Sequence, residues 1–199
     1  MNDDPLLLDE ALHAEADELL DRRGMRALLG EYGPVHVHGS YALRLMAWRD
    51  LDIYLENGDI SESRFFELGV RIVGLLQPVK MHFTNGRISP VEDDLNGLYW
   101  GVHLGDLRQG AWKVDIWTIG SEDCRRCLAY NQSIARRLTL ATRRAIITIK
   151  AQCWQDPQFR RAYSSVDIYR AVLDEGVEGF DGFRALMRRG GVEIGGKDA

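Results

Sequence analysis

Apolar positions at the start of the chain recur every three to four residues, the spacing of one buried helix face. The pattern covers residues 5–29 and predicts one or two amphipathic helices, with Pro5 suited to a first turn and Gly30 to a stop. Residues 34–38 then alternate apolar and polar side chains, which is typical of a half-buried strand. The chain therefore begins with helices and continues into a sheet.

The first predicted strand leads into a turn, a short helix and a second strand. Its alternation breaks at Gly39, and residues 40–48 have the composition of a short helix with Ser40 at its N-cap. Residues 50–56, DLDIYLE, alternate again and are rich in branched side chains, and the turn NGD at 57–59 closes them. Strand, tight turn, helix and strand is thus the predicted local order.

Strand and helix patterns continue to alternate up to residue 120. They predict a helix over residues 61–76, a strand over 79–85 and an exposed polar loop over 87–98. Two strands of an antiparallel hairpin follow, over 99–105 and 111–120. From residue 121 the pattern is helical, with one long predicted helix over 133–154 and two short helices after it. We expect an α+β fold in which a mixed sheet flanked by helices (residues 1–120) precedes a C-terminal helical region (residues 121–199).

Composition limits the classes of protein that fit this fold. The chain has 199 residues, of which 45% are hydrophobic and 28% charged, so it is predicted to fold by itself. Its formal net charge of -5 argues against nucleic acid as a partner, because such binding usually needs a basic surface. No apolar run is long enough to span a membrane and the first residues are acidic, so we expect a cytoplasmic protein.

The chain contains three cysteines, and an odd, sparse set favours reduced thiols over a disulfide framework. Cys124 and Cys127 have the spacing of metal ligands in the segment CRRC. A structural zinc site takes four ligands, however, and the sequence offers no second pair. The sequence therefore predicts no zinc site here.

The strand DLDIYLE carries two aspartates on one face. Side chains two apart in a strand point the same way, so Asp50 and Asp52 project together, about 6.6 to 6.8 Å apart at Cα, opposite to Leu51 and Ile53. Each carboxylate raises the pKa of the other unless a cation or hydrogen-bond donors offset the repulsion. Mg²⁺ or Mn²⁺ suits such hard oxygen ligands. The alternative is an ordinary acidic pair on a solvated edge strand.

Two further features change the weight of these interpretations. Gly39 and Ser40 stand between a strand and a helix, where glycine permits close backbone approach and free amide groups attract phosphate. In the later strand WKVDIWTI, Lys113 and Asp115 share one face. Asp115 is either a third metal ligand or only the ion-pair partner of Lys113.

The order of these residues resembles the nucleotidyltransferase superfamily typified by DNA polymerase beta. The pattern is a Gly-Ser turn, a short helix, Asp-x-Asp on a strand and a lone aspartate on a later strand, carried here by Gly39, Ser40, Asp50, Asp52 and Asp115. The segments WRDLDIYL and KVDIW look most like small bacterial enzymes that adenylylate aminoglycosides or lincosamides. Many minimal members also carry a glycine further into the helix and a serine before the first aspartate, where this chain has Leu43, Arg44 and Arg49.

The resemblance implies a nucleotidyltransferase-like sheet of up to five strands, with the two carboxylate-bearing strands adjacent. It implies that Asp50, Asp52 and Asp115 hold two divalent ions, Mg²⁺ or Mn²⁺, and that Asp115 takes the proton of the attacking hydroxyl. Gly39 and Ser40 are then expected to contact the β- and γ-phosphates of a nucleoside triphosphate.

Basic residues near the predicted site have two interpretations each. Arg44 lies four residues after Ser40 and either contacts a phosphate or pairs with a surface carboxylate. Lys113 either neutralises charge on the nucleotide or only balances Asp115. A basic stripe on the long predicted helix is either a solvated face or a wall of the cleft; it consists of Arg136, Arg143 and Lys150.

The resulting hypothesis is a metal-dependent nucleotidyltransferase that moves AMP from ATP to a hydroxyl of a small-molecule acceptor such as an antibiotic. The presence of all three aspartates favours catalysis, and the acidic net charge favours a small acceptor over nucleic acid. Two alternatives stay open. One is a toxin-antitoxin-type nucleotidyltransferase acting on protein or tRNA, and the other is a non-catalytic module of the same fold that binds a nucleotide or a partner.

Overall fold

The alternating segments of the sequence form one five-stranded sheet. In the computed structural model, which describes residues 4–90 and 95–195, the strands are β1 (Val35–His38), β2 (Asp50–Glu56), β3 (Lys80–Asn85), β4 (Gly97–His103) and β5 (Lys113–Ile119).

Helices surround this sheet. The α-helices are α1 (Pro5–Asp17), α2 (Met25–Gly30), α3 (Gly39–Leu43), α4 (Glu62–Leu76), α5 (Ser121–Ala135), α6 (Leu140–Cys153), α7 (Ser165–Leu173) and α8 (Phe180–Arg189). A π-helical turn (Glu18–Arg22) joins α1 towards α2, and a short 3₁₀ turn (Leu107–Gln109) lies between β4 and β5.

The sheet is mixed, with the strand order β1-β2-β5-β4-β3. Only the β2–β5 pair is parallel; the other neighbouring pairs are antiparallel. The predicted hairpin of β4 and β5 is confirmed, and so is the adjacency of the strands that carry Asp52 and Asp115, which face each other in the register. The predicted fold class, a mixed sheet flanked by helices, is therefore confirmed.

One face of the sheet is apolar and buried. The odd-numbered positions of β2, such as Leu51 and Ile53, and the even-numbered positions of β5, such as Val114 and Ile116, are almost fully buried. They pack with apolar residues of α1, α2 and α4 in one core. The alternation of these two strands thus decides which face the N-terminal helices cover.

The other face carries the polar positions of the same strands and looks towards the C-terminal helices. Those helices have a second core, built mainly from α6, α7 and α8. Leu43, Leu45 and Ala47, from the segment between β1 and β2, are buried in this second core. The N-terminal part of the chain therefore contributes to both cores, and the boundary at residue 120 stays a prediction.

The helix predicted over residues 40–48 is wrong in its bounds. The helix α3 begins at Gly39 with His38 in the N-cap position and ends at Leu43, so Ser40 lies in its first turn and is not the cap. Arg44 adopts a left-handed backbone conformation with φ of 58°, which terminates the helix. The irregular segment that follows buries Met46 in the first core and Leu45 and Ala47 in the second.

The single helix predicted over 133–154 is also wrong. The helix is interrupted between Ala135 and Leu140, because Thr139 caps a new helix. The Thr139 side chain accepts a hydrogen bond from the Thr142 amide, and the Thr142 side chain accepts one from the Thr139 amide. Apolar spacing continues across the break and hides it in the sequence.

In the segment predicted as a loop, residues 87–98, Gly97 and Leu98 belong to β4, and residues 91–94 lie outside the described residues.

Within residues 4–90 and 95–195, no helix combines the length and the apolar character needed to cross a membrane.

The packing of α4 on the sheet yields a test of the fold. A Cβ atom added at Gly69 lies 2.8 Å from Trp100 Cζ2, whereas one added at Gly74 in the same helix meets nothing within 4 Å. We expect Gly69→Ala to lower the free energy of unfolding by about 1 to 3 kcal/mol through overpacking. Gly74→Ala should raise it by about 0.4 to 1 kcal/mol because alanine favours the helix.

Chemical denaturation of the two variants beside the wild type measures both changes. Equal stability of Gly69→Ala and Gly74→Ala would contradict the close packing of α4 against Trp100.

Candidate active site

Three carboxylates lie together on the polar face of the sheet. The parallel register of β2 and β5 sets Asp52 opposite Asp115 and Asp50 opposite Lys113. Neighbouring strands lie about 4.8 Å apart, so Asp52 and Asp115 project side by side from adjacent backbones. The predicted trio of Asp50, Asp52 and Asp115 is thus brought together.

Asp50 is nearly buried at 9% exposure and pairs with a distant arginine. Its Oδ2 accepts a hydrogen bond from the guanidinium of Arg160, which follows α6 and has a left-handed backbone with φ of 65°. The second oxygen, Oδ1, is buried without a hydrogen-bond partner among the residues that the structure describes. A buried carboxylate oxygen in this condition is a binding position for a cation or a donor group.

The surroundings of Asp52 disfavour its ionised form. Burial, together with the negative charges of Asp50 and Asp115, raises the pKa of Asp52 to about 7. Its carboxylate also lies against the Gly39 turn, where a Cβ atom would be 2.4 Å from Asp52 Oδ2. Gly39 has φ of +61°, so both its conformation and this close approach favour glycine.

Asp115 is held by two donors on the same sheet face. Tyr99 of β4 donates its hydroxyl to Asp115 Oδ1 at 2.6 Å, and the Lys113 ammonium donates to Oδ2. The ion pair of Lys113 with Asp115, one of the two interpretations of the sequence, is therefore present. Burial and the neighbouring Asp115 charge raise the pKa of Tyr99, so its hydroxyl stays protonated and keeps donating.

Lys150 reaches the Gly-Ser turn from α6. It is completely buried, and its ammonium donates to Ser40 Oγ at 2.5 Å and to the Leu45 carbonyl at 2.8 Å. Burial lowers its pKa to about 8, and the charges of Asp50 and Asp52 act in the opposite direction. A buried ammonium beside a Gly-Ser turn is a strong anion-binding arrangement.

Arg44 lies outside this arrangement. Because α3 ends at Leu43, Arg44 does not share a helix face with Ser40, as the sequence had suggested. Its Nε pairs with Asp9 Oδ2 at 3.2 Å, and Asp9 is buried instead of lying on the surface. Of the two interpretations of Arg44, the ion pair with a carboxylate is therefore present. Its partner, however, is a buried carboxylate and not one on the surface.

The basic stripe predicted on the long helix is divided by the helix break. Arg143 donates to the carbonyls of Leu43 and Arg44 and so binds α6 to the end of α3. Arg136 is solvent-exposed at the end of α5. Lys150 fits neither interpretation of the stripe, because it is fully buried beside the Gly-Ser turn.

A cleft of about 600 Å³ opens beside Asp50, between the start of β2 and β5 and the segment after α6. One wall is aromatic: Trp48 stacks with Trp154 at a ring-centroid distance of 6.4 Å and meets Phe159 edge-on at 5.4 Å. The cationic lining residues are Arg49, Arg108, Lys113, Arg160 and Arg161. Flat apolar rings with several cations suit a ligand that contains both an aromatic base and anionic groups.

The carboxylates meet the requirements for a hard divalent ion. Asp50, Asp52 and Asp115 supply oxygen ligands. Asp50 Oδ1 has no hydrogen-bond partner among the described residues, so this oxygen is available to bind an ion. Arg160 and Lys113 now supply the positive charge that an ion would bring. The donor set therefore fits Mg²⁺ or Mn²⁺.

Three participating residues were not predicted as site residues from the sequence. Tyr99 could have been predicted from the alternation of β4, since that alternation places it on the same sheet face as Asp115. In the sequence Lys150 stands out only as one member of the basic stripe, and Arg160 follows a turn that contains no recognisable motif. The contacts of Lys150 with Ser40 and of Arg160 with Asp50 each span 110 positions of the chain.

No protein-family model matches the chain, and no curated protein matches it. Solved structures do. The Cid1 poly(U) polymerase with Mg and 3'-dATP is 11% identical, with a TM-score of 0.46, over 75% of this chain and 47% of that one. A histidine-to-asparagine variant of Cid1 bound to MgATP is 11% identical, with a TM-score of 0.50, over 87% of this chain and 50% of that one.

The likeness at a TM-score of 0.50 supports the nucleotidyltransferase-like fold that the sequence motif predicts. The chain spans about half the length of these Cid1 structures. At this level of identity the comparison concerns the fold, and the chemistry has to be argued from the side chains.

The raised pKa of Asp52 predicts a pH dependence of stability in the metal-free protein. Between about pH 4 and pH 7 the unfolded chain ionises Asp52, whereas the folded chain keeps the proton, so the stability contribution falls as pH rises through this range. Asp52→Asn should remove the effect and be more stable than wild type above pH 7, by up to about 4 kcal/mol.

Denaturation curves in chelator across this pH range, with Asp59→Asn as an exposed carboxylate control, isolate the contribution of Asp52. If wild type and Asp52→Asn lose stability in parallel, the carboxylate is not protonated in the folded state.

Proposed function

We propose that the protein is a metal-dependent nucleotidyltransferase that moves AMP from ATP to a hydroxyl of a small-molecule acceptor. One observation carries the proposal: Asp50, Asp52 and Asp115 share a sheet face next to a glycine-serine turn that a buried lysine reaches. This combination sets carboxylates suited to a hard cation beside a turn suited to an anion. Each feature is common alone, and their juxtaposition is what nucleotidyl transfer needs.

In this proposal the donor triphosphate extends from the cleft beside Asp50 towards Ser40. The Gly39 and Ser40 amides, the Ser40 hydroxyl and the Lys150 ammonium contact its terminal phosphates. The aromatic wall of Trp48 and Trp154 stacks on the base. Asp50 and Asp52 hold the divalent ion, and Arg160 leaves Asp50 to pair with the incoming phosphates.

The reaction then follows from the position of Asp115. The acceptor oxygen forms a bond to the α-phosphorus, the bond from that phosphorus to the bridging oxygen breaks, and pyrophosphate leaves towards Ser40 and Lys150. The hydroxyl proton passes to the carboxylate of Asp115, which Tyr99 and Lys113 orient. Two bound divalent ions, when present, supply Lewis-acid activation of the hydroxyl and neutralise charge on the phosphates.

The acceptor is proposed from charge and from the sequence resemblance. A net charge of -5 favours a small acceptor over a polyanion, and the segments around Asp50 and Asp115 resemble aminoglycoside and lincosamide adenylyltransferases. The antibiotic role is therefore our first hypothesis. Cid1 is a poly(U) polymerase, so an RNA acceptor belongs in the test beside tRNA and protein.

Incubation of the purified protein with each α-labelled nucleoside triphosphate, Mg²⁺ or Mn²⁺ and a panel of acceptors tests the function. The panel contains aminoglycosides, a lincosamide, tRNA, a short oligouridylate and cell-lysate protein. We expect labelled product with ATP and a small acceptor. Triphosphate binding without transfer to any acceptor would favour the non-catalytic module.

The position of Asp115 predicts a separation of binding from catalysis. Asp115→Asn should keep triphosphate affinity within a few-fold and lower the transfer rate by at least about 100-fold, because it removes the proton acceptor and a metal ligand. Asp50→Asn should weaken both, since it removes a ligand of the nucleotide's ion. Calorimetric titration and the transfer assay measure the two properties, with Asp59→Asn as control. Near wild-type transfer by Asp115→Asn would return Asp115 to the role of partner for Lys113.

The buried lysine predicts a binding defect. Lys150→Met keeps the length of the side chain and removes the ammonium, so ATP affinity should fall about 10- to 100-fold, in line with a charge-assisted hydrogen bond. Arg144→Met on the exposed side of the same helix should leave ATP affinity unchanged. Titration of AMP beside ATP shows whether the loss concerns the terminal phosphates. An equal loss for AMP and ATP would assign Lys150 a structural role.

A further inference from the structure

A second group of potential metal ligands lies on the same sheet face, away from the three aspartates. His36 of β1, Glu56 at the end of β2 and Cys124 in the first turns of α5 offer ligand atoms that all lie within 4.8 Å of one another. His36 Nε2 and Glu56 Oε2 are 3.1 Å apart. Glu56 is four residues along β2 from Asp52, or about 13 Å, so this group is separate from the proposed catalytic site.

We propose that His36, Glu56 and Cys124 form a zinc site that fastens α5 to the β1–β2 edge of the sheet. Imidazole nitrogen, carboxylate oxygen and thiolate sulfur are the three ligand types that zinc takes in proteins, whereas Mg²⁺ avoids sulfur. Of the two cysteines in the segment CRRC, Cys124 belongs to this group and Cys127 does not. The strands β1 and β2 supply the imidazole and the carboxylate.

The geometry needs only a small contraction. A tetrahedral ion holds its ligand atoms about 3.3 to 3.8 Å apart, so ligand atoms separated by up to 4.8 Å have to approach by about 1 to 1.5 Å. His36 and Glu56 are partly exposed, which gives an ion an entry path, and Cys124 is 1% exposed at the floor. The fourth position is left for water on the exposed side.

Binding exchanges protons for the ion. Burial raises the pKa of the Cys124 thiol, so without metal the sulfur carries its proton. When the Zn–S bond forms, the S–H bond breaks and one proton passes to solvent; the proton that His36 Nε2 donates to Glu56 moves to Nδ1 as Nε2 binds the ion. Glu56 is already a carboxylate, because hydrogen bonds from Ser121 and His36 lower its pKa. Zinc affinity is therefore expected to rise with pH.

Cobalt titration of the purified, metal-free full-length chain tests the site, because thiolate-bound Co²⁺ has a near-ultraviolet charge-transfer band that oxygen-bound Co²⁺ lacks. We expect the band to saturate at one equivalent and to disappear on addition of Zn²⁺. Cys124→Ser should abolish it. Cys153→Ser, which removes a buried thiol of α6, should keep it, and so should Asp50→Asn at the catalytic carboxylates.

A second variant keeps the test decisive if Cys124→Ser folds poorly. His36→Gln changes a partly exposed side chain and should lower zinc affinity at least about 10-fold in competition with a chromophoric chelator. At the same zinc concentration, the melting temperature should rise more for wild type than for His36→Gln.

Absence of the charge-transfer band in folded wild type would overturn the proposal, as would a band that survives in Cys124→Ser. Loss of the band in Asp50→Asn would also overturn it, because the ion would then lie in the catalytic cleft. None of these readouts depends on nucleotidyl transfer.

Discussion

Repulsion among Asp50, Asp52 and Asp115 is the constraint on which the arrangement of the cleft depends. Three carboxylates on adjacent strands of one face are stable only with positive charge nearby. The chain supplies it from different elements: Lys113 lies on β5, Lys150 on α6, and Arg160 in the segment after α6. The C-terminal helices thus dock on the sheet partly through charges that the sheet requires, in addition to the apolar contacts of the second core.

This balance links ligand binding to the position of the helical segment. Arg160 pairs with Asp50 where a cation would be coordinated, so the arginine and the ion compete for the same carboxylate. A triphosphate brings both an ion for Asp50 and new acceptors for the freed guanidinium. Under the proposed function, we therefore expect the complete metal–nucleotide complex to bind more tightly than the ion alone. The left-handed backbone of Arg160 shows that this segment is held in a sparsely populated conformation by its surroundings.

The parts of the fold that depend on local pattern were predictable, and those that depend on distant contacts were not. Alternation in β2 and β5 predicted both strands and the shared face of their aspartates, because a period of two is a strong signal. The helix break at Thr139 escaped prediction, since apolar spacing runs through it and the capping partner is another threonine. That break sets the direction of α6 and hence decides that Lys150 points inward. The helical position predicted for Arg44 was also wrong, because α3 ends one residue before it.

Strand β2 presents two different ligand chemistries on one face, and the residues between them keep these apart. At one end Asp50 and Asp52 offer hard oxygen atoms; at the other Glu56 meets an imidazole and a thiol. Tyr54 stands between them and stacks on His38 with ring centroids 3.9 Å apart. Burial lowers the pKa of His38 to about 4, so this stack is neutral at physiological pH and adds no charge to either site. Because this aromatic spacer is neutral, the coupling between the proposed zinc and magnesium sites is reduced to the repulsion between the two ions, at strand positions about 13 Å apart.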